Sequence, residues 1–164
     1  MSYFFTFFMI RQLLASDRSA IERMVRDTGV FTDEEVVVAM ELVDTALNNP
    51  DQKDYVFFVY GQNDNPLGYV CLGTTPMTEA TWDLYWIVVA PAAHGQGIGQ
   101  ALTRHTEEYV QQHGGRLIVV ETSSKPSYDR TRKFYEDAGY VQLAEIANYY
   151  RTNDSLIIYG KYFR

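Results

Sequence analysis

Apolar positions along this chain recur with two periods, and each switch between them marks an element. Tyr3-Phe4-Phe5-Thr6-Phe7-Phe8-Met9-Ile10 reads as an aromatic first strand, closed at once by Arg11. From Ser16 to Arg26, Ala20, Ile21, Met24 and Val25 share a helical face, followed by a turn at Asp27-Thr28-Gly29. Thr32-Asp33-Glu34-Glu35 forms a capping box; Val36, Ala39, Met40, Val43 and Leu47 then recur on one face until Asn48-Asn49-Pro50 stops the helix. Tyr55 to Tyr60 and Leu67 to Gly73 are apolar strands joined by a hairpin turn from Gly61 to Pro66. Trp82 to Ala90 is a fourth strand, Gly99 to Gln112 a helix ended by Gly114-Gly115, and Arg116 to Thr122 a fifth strand. A helix around Phe134, then strands from Tyr140 to Ile146 and from Ser155 to Phe163, complete the order βααβββαβαββ. No repeat, linker or low-complexity segment interrupts it, so residues 1–164 are expected to form a single α/β domain.

The fourth strand runs through Val88, Val89, Ala90 and Pro91 into His94-Gly95-Gln96-Gly97-Ile98-Gly99-Gln100, which opens the third helix. Glycines there allow a tight turn and close approach of a ligand, and free N–H groups at a helix start favour an anion. A phosphate-bearing ligand is the expectation. The P-loop needs Gly-Lys-Ser/Thr, whereas Gly99 is followed by Gln100-Ala101; the dinucleotide fingerprint needs Gly-x-Gly-x-x-Gly, whereas the interval here is Gly95-x-Gly97-x-Gly99. The segment instead resembles the acetyl-coenzyme A loop of the GNAT N-acetyltransferases, matched at Val89, Pro91, Gly95, Gly97, Ile98 and Gly99, with His94 where that family usually has Arg or Gln.

About 30 residues on, Arg132-Lys133-Phe134-Tyr135-Glu136-Asp137-Ala138-Gly139-Tyr140 is similar to the later block of the same family. Ser127 or Asp129 could cap this helix, Gly139 suits its left-handed end, and Phe134 and Ala138 are expected to face the sheet. Tyr128 stands where the family often has Asn. The resemblance implies a mixed, mostly antiparallel sheet of seven strands flanked by four helices, and acetyl transfer from acetyl-CoA to a primary amine by direct attack in a ternary complex. It also implies a cofactor site made of Val88, Val89, His94, Gly95, Gln96, Gly97, Ile98, Gly99, Gln100, Tyr128, Arg132 and Tyr135, with strand four bulged near Val88 and Val89. Tyr135 matches the tyrosine that protonates the departing sulfur. Asp83 and Glu121 are both candidates for the base, and either could instead orient substrate or serve structure. Tyr85, Trp86, Tyr149 and Tyr150 could wall the acceptor, against a background of 15% aromatic residues that makes core packing their default.

Composition narrows the alternatives. A net charge of −7 argues against a nucleic-acid partner. Nine acids and one base, Lys53, lie between Asp27 and Asp64; they form a solvated face or attract a cationic amine. Arg116, Lys125, Arg130, Arg132 and Lys133 gather in the second half, where a polyanionic cofactor would lie. Cys71 reads as a buried thiol, and the absence of a cysteine framework suits a cytoplasmic protein. No apolar run reaches the roughly 20 residues a membrane span needs. His94, His105 and His113 lack the spacing of a metal site, and His105 falls on an inner helical face with Leu102 and Tyr109, so no metal is expected. The resemblance implies a small-molecule or peptide amine as the partner, with a homodimer left open. A non-catalytic acyl-CoA sensor or partner-binding module is the alternative class; an ordered acid and base at the thioester would separate the two.

Overall fold

The computed structural model describes residues 8–62 and 65–164. Its elements are β1 (Phe8–Gln12), α1 (Arg18–Asp27), α2 (Asp33–Asn48), β2 (Val56–Gln62), β3 (Asn65–Thr74), β4 (Thr81–Val89), α3 (Ile98–Gln112), β5 (Leu117–Ser123), α4 (Asp129–Asp137), β6 (Val141–Arg151) and β7 (Asp154–Tyr162). That order is the expected one. The strands make one seven-stranded sheet in the order β1-β2-β3-β4-β5-β7-β6. β1–β2, β5–β7 and β6–β7 are antiparallel, while β4 and β5 run parallel. The aromatic stretch before Phe8 and the turn residues Asn63 and Asp64 lie outside the described residues.

By packing, the chain groups into two compact units. One takes in the described residues up to Cys71 together with Trp86–Thr106. Its core joins Ile21 and Val25 of α1, Val36 and Val43 of α2, Val59 of β2 and Val88 of β4. The spacing that predicted the two helices is what delivers these residues to one side. α2 starts on the expected capping box: Thr32 Oγ1 accepts from Glu35 N (3.2 Å) and Glu35 Oε2 accepts from Thr32 N (2.7 Å), worth about 1 kcal/mol. α1 starts later than the pattern suggested, at Arg18. Residues 15–17 form a 3-10 turn instead, because the buried Asp17 carboxylate takes Leu14 N and both terminal nitrogens of Arg11. Cys71 is fully buried here, and burial pushes its thiol well above the ordinary value, which makes it unreactive.

The other unit comprises Leu72–Tyr85 and Glu107–Arg164. β5 is paired with β7 along its whole length, from Leu117↔Tyr162 to Ser123↔Leu156. Gly115 is required where α3 gives way to β5, since a Cβ there would lie 2.2 Å from Val110 Cγ1 and 2.7 Å from the Trp82 indole nitrogen. Lys161 of β7 donates to both Glu107 carboxylate oxygens (2.9 and 2.8 Å) and to the Ala138 carbonyl (2.8 Å), tying α3 and the end of α4 to the sheet. Gly139 follows α4 with φ +87°, the left-handed stop anticipated from the sequence.

Three local expectations are corrected. Neither Ser127 nor Asp129 caps α4: Tyr128 holds the cap position with no side-chain cap bond, Ser127 lies in a 3-10 turn, and Asp129 pairs with Arg132 instead. The buried residue of α4 is Tyr135, with Phe134 and Ala138 only half covered. β6 runs on to Arg151, beyond the expected end at Ile146, resuming its pairing with β7 after a bulged stretch in which Asn148 has φ +54°.

Candidate functional site

α3 is preceded by a loop whose backbone takes the conformation its glycines permit. Gly95 and Gly97 have φ of +77° and +76°, and a Cβ built on either would meet no atom within 4 Å. The loop from His94 to Gly97 is exposed, and the first helical bond runs from Ala101 N to Gly97 O (3.0 Å). The N–H groups of Ile98, Gly99 and Gln100 therefore precede any intrahelical acceptor. Open space, positive φ and unspent donors at a helix start together fit a pyrophosphate. His94 Nε2 lies 2.9 Å from Val89 O. Facing a carbonyl, that nitrogen must carry the proton, so the imidazole braces the strand end from which the loop departs. The β4 residues nearby divide their roles: Val88 is in the core, and Val89 is half-buried with its carbonyl committed to His94.

A second feature lies entirely in the other unit. The β4–β5 ladder comprises Thr81↔Leu117, Trp82↔Ile118 and Asp83↔Val119, and stops there although β5 continues to Ser123. Where it stops, Asp83, Leu84, Tyr85, Val119 and Glu121 line a cavity of about 200 Å³. The two carboxylates that sequence reasoning left as rivals thus share one wall. Asp83 accepts the Thr75 hydroxyl hydrogen at 2.8 Å, a partner the sequence did not suggest. Glu121 is exposed and makes no ion pair among the described residues.

The end of β5 beyond Glu121 is fixed by side chains. Thr122 Oγ1 donates to Ile157 O (3.1 Å), and Ser123 Oγ donates to Asp154 Oδ1 at 2.5 Å. Asp154 is 2% exposed. Burial alone would raise its pKa, but the Ser123 hydroxyl and the Lys125 ammonium, 3.1 Å from Oδ2, outweigh that and hold the carboxyl below its ordinary value. Arg132, expected at the cofactor, spends its guanidinium on the carbonyls of Ser123 and Lys125 and on Asp129. It thereby ties α4 to the end of β5. Sequence reasoning missed this clasp because Ser123 and Asp154 are 31 residues apart and carry no motif.

Tyr135 is 3% exposed, ringed by Phe134, Tyr140 and Tyr159 at centroid distances of 5.4, 5.5 and 6.5 Å. Burial raises its pKa, so the phenol keeps its proton. Tyr128 is half-buried at the cap of α4. Of the candidate acceptor walls, Tyr85 reaches the carboxylate cavity, Trp86 is packed edge-on against Phe31 (5.0 Å) beside the core, and Tyr149 and Tyr150 are exposed on β6. His105 is half-buried with its ring against Phe58 (4.4 Å), and no metal-binding cluster occurs among the described residues. No helix among them is long and apolar enough to cross a membrane.

Comparison with known proteins agrees with the motifs. A family model described as the acetyltransferase (GNAT) family matches residues 20–140. A crystal structure from Desulfovibrio desulfuricans, of a protein assigned to the GNAT acetyltransferases, is 41% identical, with a TM-score of 0.89 over 95% of this chain and 99% of that one. The ribosomal-protein-S18-alanine N-acetyltransferase of Escherichia coli has 20% identity and a TM-score of 0.72, with 94% and 92% covered. An aminoglycoside 6'-N-acetyltransferase complexed with coenzyme A has 18% identity and a TM-score of 0.73, with 94% and 96% covered. Both of these share the fold. A search of curated proteins finds no match.

Proposed function

Because the chain belongs to the acetyltransferase (GNAT) family, we propose that it is an acetyl-CoA-dependent N-acetyltransferase whose acceptor is a primary amine attacking directly in a ternary complex, residues 1–164 acting as one catalytic domain in the cytoplasm. The observation that carries the cofactor half is the glycine loop, with left-handed backbone at Gly95 and Gly97 and open space where side chains would stand. Backbone N–H groups from Gly95 to Gln100 would hold the pyrophosphate, and bound acetyl-CoA supplies an activated acetyl thioester. Val88, Val89 and Tyr128 remain candidates for the pantetheine arm. Arg132 is better read as a positioning residue, since its donors are committed to the α4 clasp.

The acceptor half rests on the carboxylate cavity. A primary amine is an ammonium ion at neutral pH and must lose a proton before it can attack. Asp83 is held by Thr75 and suits orientation of the ammonium; Glu121 makes no ion pair and is the freer proton acceptor. Tyr135 keeps its phenolic proton and would donate it toward the departing sulfur. The two N-acetyltransferases of the same fold above are named for a ribosomal-protein alanine and for an aminoglycoside, so the shared fold leaves the acceptor open.

The test is thiol release from acetyl-CoA across a panel of small amines, amino acids and peptides. Glu121→Gln should lower kcat by about 10²-fold or more and shift the pH profile, while acetyl-CoA affinity stays unchanged. Tight acetyl-CoA binding with no thiol release on any amine, wild type and Glu121→Gln alike, would favour the non-catalytic sensor.

A further inference from the structure

What the carboxylate cavity lacks says as much about its occupant as its two acids do. Its volume of about 200 Å³ is lined by Asp83, Leu84, Tyr85, Val119 and Glu121, and none of these is basic. The strand next to β5 adds no cation: Ile158 of β7 stands opposite Glu121, and Gly160 stands opposite Val119. Leu143 covers Gly160, its Cδ1 lying 2.4 Å from where a Cβ would be. Lys161, the basic residue of β7, is drawn instead to Glu107 and to the Ala138 carbonyl. A carboxylate brought into this cavity would meet two like charges and no partner, whereas an ammonium ion would meet two counter-charges.

The dimensions suit one ammonium on a short apolar body. Asp83 is registered with Val119, one strand across, and Glu121 lies two residues farther along β5. With strands about 4.8 Å apart and a rise of about 3.3 Å per residue, the Cα atoms of the two acids are about 8 Å apart. Side chains at that separation can both reach a single nitrogen, while Leu84, Tyr85 and Val119 offer carbon to the rest of the molecule. At roughly 30 Å³ per water-sized group, 200 Å³ admits about seven non-hydrogen atoms, below the roughly 300–1,000 Å³ that takes a drug-sized ligand. On the acetyltransferase reading of this site, we propose that the acceptor is a short aliphatic amine with no carboxylate. The cavity selects amines of the kind an amino acid leaves on losing its carboxyl group, and it rejects free α-amino acids.

Titration calorimetry on the full chain with coenzyme A present tests this with three probes: propylamine, 2-aminobutyrate and 2-aminobutanamide. The last has the shape of the second without its negative charge. Propylamine and 2-aminobutanamide should each bind at least about 10-fold more tightly than 2-aminobutyrate. Asp83→Asn keeps an oxygen for the Thr75 hydroxyl but removes the charge, so the preference for the amide over the acid should shrink several-fold. Glu121→Gln, at an exposed position, should shrink it likewise and carries the test if Asp83→Asn fails to fold. An acid bound as tightly as its amide, or a preference that survives both substitutions, overturns the proposed substrate class and leaves the acetyltransferase reading standing. Binding of none of the three also overturns it, and thiol release from acetyl-CoA across a wider amine panel then shows whether that reading falls as well.

Discussion

Gly97 offers a way to separate what the glycine loop does for the fold from what it does for a ligand. At φ +76° an alanine would carry the left-handed penalty of about 1–2 kcal/mol, and since no atom lies within 4 Å of its Cβ, steric conflict adds nothing. In a chain of 164 residues, that loss lowers the melting temperature by about 2–8 °C. Gly29 is the matched control: its φ is +65°, its Cβ also meets nothing within 4 Å, and it follows α1 far from the loop in sequence. Gly29→Ala and Gly97→Ala should thus lose similar stability. Only Gly97→Ala should lose acetyl-CoA affinity, because its methyl stands where a phosphate must approach the N–H groups of the loop. Forfeiting one hydrogen bond to a charged group, worth about 1.5–3 kcal/mol, predicts a roughly 10- to 100-fold rise in the dissociation constant by titration calorimetry. Unchanged affinity in Gly97→Ala, or an equal loss in Gly29→Ala, would refute the cradle.

Two further outcomes follow from the other unit. Tyr135→Phe keeps the ring that packs against Tyr140 and Tyr159 and should leave the fold intact; kcat should fall about 10²-fold with little change in acetyl-CoA affinity, and near-normal turnover would leave Tyr135 a core aromatic. Asp154 is held below its ordinary pKa, so its contribution to stability is present above about pH 4 and is lost as pH falls through its folded value. The stability gap between wild type and Asp154→Asn, measured by chemical denaturation, should accordingly be widest near neutrality and close below about pH 4; a constant gap would mean the carboxylate charge is not what holds the clasp.

The elements were legible where a local pattern decides them. Capping at Thr32 and Glu35, the apolar stripes of α1 and α2, and the stop at Gly139 are short-range effects, and the structure places each where its residues indicated. The failures lie where a distant group intervenes. α1 starts late because Arg11 and Leu14 claim Asp17, and α4 goes without a side-chain cap because Arg132 claims Asp129. In both cases the carboxylate is held by a guanidinium, and at Asp129 this takes the place of the local cap the sequence offered.

The site divides along the same line. The left-handed glycine loop proposed as an anion cradle could be read from spacing because it is backbone chemistry, and glycine positions are visible in a sequence. The carboxylate cavity could not, because whether Asp83 and Glu121 share a wall depends on where the parallel ladder of β4 and β5 stops. Alternation along the pleat places Val119 and Glu121 on one face of β5, and the pairing of Asp83 with Val119 carries β4 to the same spot. One residue of slip in that ladder would turn Asp83 to the other face. The register of these few pairs thus decides whether the chain has two adjacent carboxylates or two unrelated surface acids, and neither strand's own sequence records it.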